Sequence, residues 1–189
     1  MCGIAGIHQT SSLPLPRQWL LSMQQALHHR GPDEQGLRQS PGVGLIHTRL
    51  SIVDLSGGHQ PLSNEDGRYW ICFNGEIFNH EPLRRQLIQQ GHVFKTRSDT
   101  EVIVHLFEQY GEACVDHLNG QFAFAIHDQV SNRLFLARDR VGIRPLFHTV
   151  WQVDGQWRFA FASEIKALLS LPNMARRFDL RGLAQTMNW

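Results

Sequence analysis

Two short segments, Phe122-Ala123-Phe124-Ala125-Ile126 and Leu134-Phe135-Leu136-Ala137, carry an apolar residue at every position. Successive side chains of a strand point to opposite faces, so a strand with one wet face alternates in polarity. These two do not alternate, which places both of their faces out of water. Ser131-Asn132 between them suits a short hairpin connection. The pair therefore predicts neighbouring antiparallel strands in a sheet that must be covered on both sides.

The rest of the chain supplies the covers. Residues 2–8, 43–47, 69–73, 146–150 and 157–162 read as further strands, and Asp154-Gly155 signals a hairpin between the last two. Pro14 and Pro16 introduce a helix on which Trp19, Leu20, Met23, Ala26 and Leu27 recur at helical spacing up to His29. The polar run His29-Arg30-Gly31-Pro32-Asp33 then reads as a turn. A second helix spans 81–90, with Pro82 in its first turn and Gly91 to stop it. Ser98-Asp99-Thr100-Glu101 has the capping-box pattern and opens a third, on which Ile103, Leu106, Phe107 and Tyr110 share a face. The strands run in hairpins rather than in repeated strand–helix–strand units. The expectation is an α+β fold: a four-layer α/β/β/α sandwich of two mainly antiparallel sheets.

At 189 residues the chain has room for one substantial core. Residues 1–178 read as that domain. Asp179 then caps a helix with apolar positions Leu180, Leu183, Ala184 and Met187, and the chain ends at Trp189 without a stop signal. Residues 179–189 thus read as the start of a connection to a further domain. Lys plus Arg number 18 and Asp plus Glu 17, with no basic run, so neither nucleic acid nor an anionic membrane is an expected partner. No apolar stretch approaches the ~20 residues of a spanning helix, and no signal peptide is visible. Cys2, Cys72 and Cys114 form no CxxC pair, which fits a reducing, cytoplasmic setting; Cys72 and Cys114 read as packing residues. No two histidines show the helical spacing of a zinc site, so no metal is expected.

Cys2 is the chemical feature. Removal of Met1 would leave a thiol and a free α-amine on one residue, nucleophile and general base together. An α-amine titrates near ~7.7–8.0, so a useful fraction is neutral at cytosolic pH. With Met1 attached that nitrogen is an amide and cannot take a proton.

Met-Cys-Gly-Ile-Ala-Gly at 1–6, His-Arg-Gly-Pro-Asp at 29–33 and His-Thr-Arg-Leu-Ser-Ile-Val-Asp at 47–54 resemble class II glutamine amidotransferases. So do Asn-Gly-Glu-Ile-Phe-Asn-His at 74–80, Ser-Asp-Thr-Glu at 98–101, Arg-Asp-Arg-Val-Gly-Ile-Arg-Pro-Leu at 138–146 and Ala-Ser-Glu-Ile-Lys-Ala-Leu at 162–168. The nearest likeness is to the glutaminase half of asparagine synthetases. The resemblance implies the N-terminal-nucleophile hydrolase fold, which has the four layers expected above. It also implies hydrolysis of L-glutamine through a Cys2 thioester, with the Asn74 side chain and the Gly75 backbone N–H as oxyanion donors. Arg49 would grip the substrate carboxylate, Glu76 and Asp99 its ammonium, and backbone groups of Leu50, Ser51, Ile52 and Val53 would complete the pocket. No cofactor is implied in this domain; ATP and Mg belong to an ATP-dependent synthetase domain downstream, and a homodimer is compatible.

The residues alone also accommodate plainer roles. Asn74-Gly75 is a common hairpin turn, Asp99 suits a helix N-terminus, and Arg49 and Glu76 suit a solvated surface. Arg30, Asp33, Arg138 and Asp139 match the family without a derivable role beyond ion pairing. Phe78 stands where tyrosine is commoner in the family, a change expected to touch the pocket's architecture. Ser56-Gly57-Gly58-His59 resembles a phosphate loop but lacks the Asp and Ser that follow in the family's ATP site, and reads as a polar turn. Two rival readings remain open: the glutaminase domain of another class II amidotransferase, such as glucosamine-phosphate synthase, and a non-catalytic glutamine-binding module.

Overall fold

The computed structural model describes residues 1–11, 13–50 and 58–187. It contains two antiparallel sheets. The first has five strands in the order β2 (Glu34–Ser40), β3 (Val43–Arg49), β1 (Gly3–His8), β9 (Gln156–Ala162) and β8 (Phe147–Val153). The second has four, β4 (Leu62–Ser63), β5 (Tyr69–Ile77), β6 (Gly120–Asp128) and β7 (Arg133–Arg138). Helix α1 (Arg17–Leu27) and the short α4 (Ile165–Leu168) cover the first sheet; α2 (His80–Gln89) and α3 (Asp99–Tyr110) cover the second.

Three apolar clusters correspond to the three interfaces of a four-layer sandwich. Leu20, Met23 and Leu27 of α1 pack on Ala5, Ile7, Ile46 and Ala160. Leu83 and Leu87 of α2 and Val102, Ile103 and Leu106 of α3 pack on Ile71, Phe73, Phe122 and Phe124. Between the sheets lie Ile4, Val43, Leu45, Cys72, Ala123, Ala125 and Phe161. The doubly buried character of β6 follows: Phe122, Phe124 and Ile126 face the helices, and Ala123 and Ala125 face the other sheet. The facing residues include several of the smallest apolar side chains, and β1 carries Gly6, where a Cβ would stand 2.7 Å from the Gly44 carbonyl oxygen.

The structure adds what local pattern did not carry. Strand β2 is Glu-Gln-Gly-Leu-Arg-Gln-Ser, an edge strand with little apolar signal, and it forms because β3 offers it a ladder from Glu34 to Ser40. Helix α2 runs one residue earlier at each end than expected. The capping box is half realised: Ser98 accepts from the Thr100 N–H at 3.2 Å, but Glu101 reaches past the cap to the N–H groups of Lys95 and Thr96, each at 2.7 Å. Cys72 and Cys114 are fully buried, and burial pushes both thiols up to about 12. No described helix is long and apolar enough to cross a membrane. Helix α5 (Leu180–Met187) buries no residue.

One polar group bridges the sheets. His47 of β3 is 1% exposed, and its Nε2 meets the Phe73 carbonyl of β5 at 3.1 Å. Burial lowers its pKa to about 4. Its folded value therefore lies below its unfolded value of ~6.5, so the contribution is fully present above that pH and is lost as pH falls toward 4. Urea melts between pH 7.5 and 4, values chosen to bracket that window, should show stability falling with pH. His47→Gln, which keeps an N–H donor and cannot titrate, should flatten that slope; a parallel decline in both proteins would refute the assignment.

Candidate active site

Strand alternation carries the candidate residues to one end of the inter-sheet gap. In β3, Val43 and Leu45 face the other sheet, so Arg49, in phase with them, does too. In β1 Ile4 faces it, which puts Cys2, two residues earlier, on the same side. In β5 Cys72 faces it, and Asn74 and Glu76 follow in phase. Helix α3 delivers Asp99 at its first residue. The result is one pocket lined by Cys2, Arg49, Leu50, Asn74, Gly75, Glu76 and Asp99. Ser51, Ile52 and Val53 lie outside the described residues, as do Ser56 and Gly57 of the loop look-alike.

Asn74 and Gly75 do not form a turn. Both sit inside β5, opposite Ala123 and Phe122 of β6. Among the described residues, β4 pairs with β5 only at Trp70 and Ile71, so beyond Ile71 one edge of β5 lacks a strand. Every second residue turns its N–H and C=O to the same edge. At this edge Phe73 donates its N–H to Gln60 Oε1 at 2.7 Å, and Ile77 donates to Asp99 Oδ2 at 3.0 Å. The intervening residue in phase with them is Gly75, so its N–H points the same way, into the pocket. Asn74 is 2% exposed, yet its Nδ2 has no hydrogen-bond partner among the described residues. A buried orphan donor costs about 1–3 kcal/mol, so one held at a cleft is informative. Two candidate N–H donors and Cys2 thus belong to residues lining the same pocket.

Gly75 is dictated by packing. A Cβ there would lie 2.2 Å from the Gln121 carbonyl oxygen and 2.8 Å from the Phe122 Cα. Gly75→Ala must therefore spread β5 from β6. The expected loss is about 1–3 kcal/mol, in the range of overpacked cores, with turnover falling alongside because the donor moves. A melt unchanged within error would contradict the close approach.

The charged groups are held by partners the sequence did not reveal. Arg49 is 4% exposed and pairs through Nη1 with Glu34 Oε2 at 3.0 Å. Glu34 in turn contacts His59. Burial works to raise the Glu34 pKa, but His59 and Arg49 outweigh it and keep the carboxylate below its ordinary value. The first role of Glu34 is thus to aim the Arg49 guanidinium. Burial pushes Asp99 up, opposed by the Ile77 N–H. Glu76 is exposed at the rim. Phe78 is 58% exposed and is not among the described residues that line the pocket.

Arg30, without a derivable role in the sequence, holds the backbone of Cys2. Its Nε donates to the Cys2 carbonyl at 2.9 Å and its Nη1 to Glu164 Oε1 at 2.9 Å. Glu164 also meets His29 and Lys166 and is held at a pKa of about 2: burial works against the charge, and Arg30, His29 and Lys166 overcome it. Asp139 accepts from the N–H groups of Phe122, Ile143 and Arg144, fixing the turn that carries Arg144 into the pocket wall. Met1 also lines the pocket, with its sulfur against Arg144. The Cys2 thiol faces the Leu50 carbonyl at 3.7 Å.

A four-layer antiparallel sandwich with a cysteine at the head of the central strand of one sheet, sharing a pocket with Asn74 and Gly75 of the other, defines a domain of the N-terminal-nucleophile class. The chain belongs to the glutamine amidotransferase domain family, whose model matches residues 1–189. It is 43% identical over 188 residues to the glutamine-hydrolysing asparagine synthetase 3 of Bacillus subtilis, covering 98% of this chain and 30% of that protein. It is 45% identical over 174 residues to a probable glutamine-hydrolysing asparagine synthetase of Dictyostelium discoideum, covering 89% and 30%. The chain thus spans about a third or less of the length of these curated relatives. The glutamine phosphoribosylpyrophosphate amidotransferase of B. subtilis shares the fold with a TM-score of 0.70 at 26% identity, over 89% of this chain and 43% of that one.

Proposed function

We propose that this domain hydrolyses L-glutamine to glutamate and ammonia as the glutaminase half of an asparagine-synthetase-like amidotransferase. The Cys2 sulfur adds to the side-chain amide carbon, and the carbonyl oxygen becomes an oxyanion between Asn74 Nδ2 and the Gly75 N–H. The α-amine of Cys2, freed by loss of Met1, takes the thiol proton and returns it to the leaving nitrogen. Ammonia departs and an acyl thioester remains. Water then attacks that thioester, giving glutamate and restoring the thiol. Arg49 binds the substrate carboxylate, and Asp99 and Glu76 its ammonium, with backbone groups of residues 50–53 completing the grip.

The observation that carries this reading is the pair of donors: an orphan Asn74 Nδ2 beside a Gly75 N–H aimed off an open strand edge. The limited coverage of the relatives supports the rest of the proposal. Residues 1–178 form the glutaminase unit, and 179–189, including the unburied α5, lead to a synthetase domain that uses ATP and Mg to activate the ammonia acceptor. The setting is the cytoplasm.

Intact mass of the purified chain, before and after exposure to a glutamine-analogue electrophile, tests the reading. The expected result is a chain lacking Met1 with a single adduct on Cys2, blocked by excess glutamine. A chain that retains Met1 and still releases glutamate would overturn the proposed base.

A further inference from the structure

Away from the pocket, four side chains from three segments converge. Glu65 follows β4, His92 lies between α2 and α3, and His105 and Glu108 stand one turn apart on α3. One ligand atom from each lies within 4.8 Å of all the others. His105 is fully buried, and among the described residues neither of its ring nitrogens has a hydrogen-bond partner, only carboxylate oxygens nearby. Glu65 Oε2 and Glu108 Oε2 are also buried without one.

We propose that these four residues bind one divalent transition-metal ion of the zinc class. His105 Nδ1 lies 3.2 Å from Glu65 Oε2 and 3.5 Å from Glu108 Oε2; His92 Nδ1 lies 3.8 Å from Glu65 Oε1 and 3.5 Å from Glu108 Oε2. Tetrahedral ligands at ~2.0–2.1 Å from a zinc ion are separated by roughly 3.3–3.4 Å, the edge of that tetrahedron. Three of these four spacings, at 3.2–3.5 Å, are close to such edges, and the fourth, to the other Glu65 oxygen, would shorten by a small rotation of that carboxylate. Both imidazoles present Nδ1 to the cluster and turn Nε2 outward: His92 to Gln109 Oε1 at 3.2 Å, and His105 toward Glu101 Oε1 at 3.7 Å. An outer acceptor on the second ring nitrogen is how ligating histidines are oriented, and His92 has one; the longer His105–Glu101 spacing is an ion-pair contact only. Two carboxylates, two neutral imidazoles and a dication sum to zero charge, which suits a buried site. The ion would clamp the α2–α3 connection and the β4–β5 turn to the helix that begins at Asp99. The sequence-based expectation of no metal considered only paired histidines at helical spacing. Here the ligands come from three segments, and only His105 and Glu108 share a helix.

Tag-free protein, stripped with chelator and reloaded, provides the test. Zinc should return to about one equivalent on elemental analysis. X-ray absorption should show two nitrogen and two oxygen neighbours at ~2.0–2.2 Å, the range for His and carboxylate ligands. Cobalt should give the intense visible bands of a tetrahedral site. Glu65→Gln and Glu108→Gln, at partly exposed positions, should each weaken metal retention at least about 10-fold, as loss of even an outer-shell partner typically does. No metal above background, a coordination shell containing sulfur or six oxygens, or unchanged retention in both variants would each overturn the proposal. The absorption measurement uses the unaltered chain, so it decides the matter even if a variant fails to fold.

Discussion

Replacing Cys2 by alanine is expected to abolish glutamate release, by about 10⁴-fold or more, because loss of a covalent nucleophile alone has cost about 10⁶ in a well-studied hydrolase. The fold should survive. Among the described residues the thiol makes one weak hydrogen bond, to the Leu50 carbonyl at 3.7 Å, and the strand it precedes is held by ladders on both sides. Arg30 grips the Cys2 carbonyl rather than its side chain, so the backbone stays placed in the variant. Glutamine should still bind, since Arg49 and Asp99 are untouched; isothermal titration of the variant checks this. Glutamate release unchanged from the parent would refute the assignment of the nucleophile.

Asn74→Ala should lower kcat by about 10²–10³-fold with KM within a few-fold, the signature of a lost oxyanion donor worth ~2.7–4 kcal/mol. Asn74 Nδ2 is buried and unpartnered, so its removal relieves a desolvation cost. The variant should therefore melt at the same temperature as the parent or higher. Activity and stability moving in opposite directions distinguishes a functional donor from a structural one. Asn74→Asp, similar in shape but an acceptor, should be no better than the alanine variant. A rise in KM with kcat unchanged would place Asn74 in substrate binding instead.

The layers of the fold were legible because they rest on local pattern. Uninterrupted apolar strands, hairpin signals and helical periodicity are properties of short windows. The candidate site residues were named for another reason: they sit in motifs that resemble a family, in its order. Geometry was not legible in the same way. Asn74-Gly75 has the composition of a turn, and only the nine-residue pairing of β5 with β6 makes it strand interior. Strand β2 carried no apolar signal, and with it Glu34, the partner that aims Arg49, went unassigned. Arg30 gained its role from two contacts separated by 28 and 134 positions in sequence.

The order of residues along the chain by itself determined the sandwich and named a candidate nucleophile with the polar groups a small amide substrate would need. The layers follow from burial periodicity, which acts over short stretches; the candidate site residues follow from motifs that resemble a family and from what their side chains can do. The tertiary structure alone decided where the donors point. An N–H is a site only when its strand edge is left unpaired, and a carboxylate orients a guanidinium only when distant strands meet. Both are consequences of which edges and faces the folded chain leaves open, and no local window of sequence contains that information.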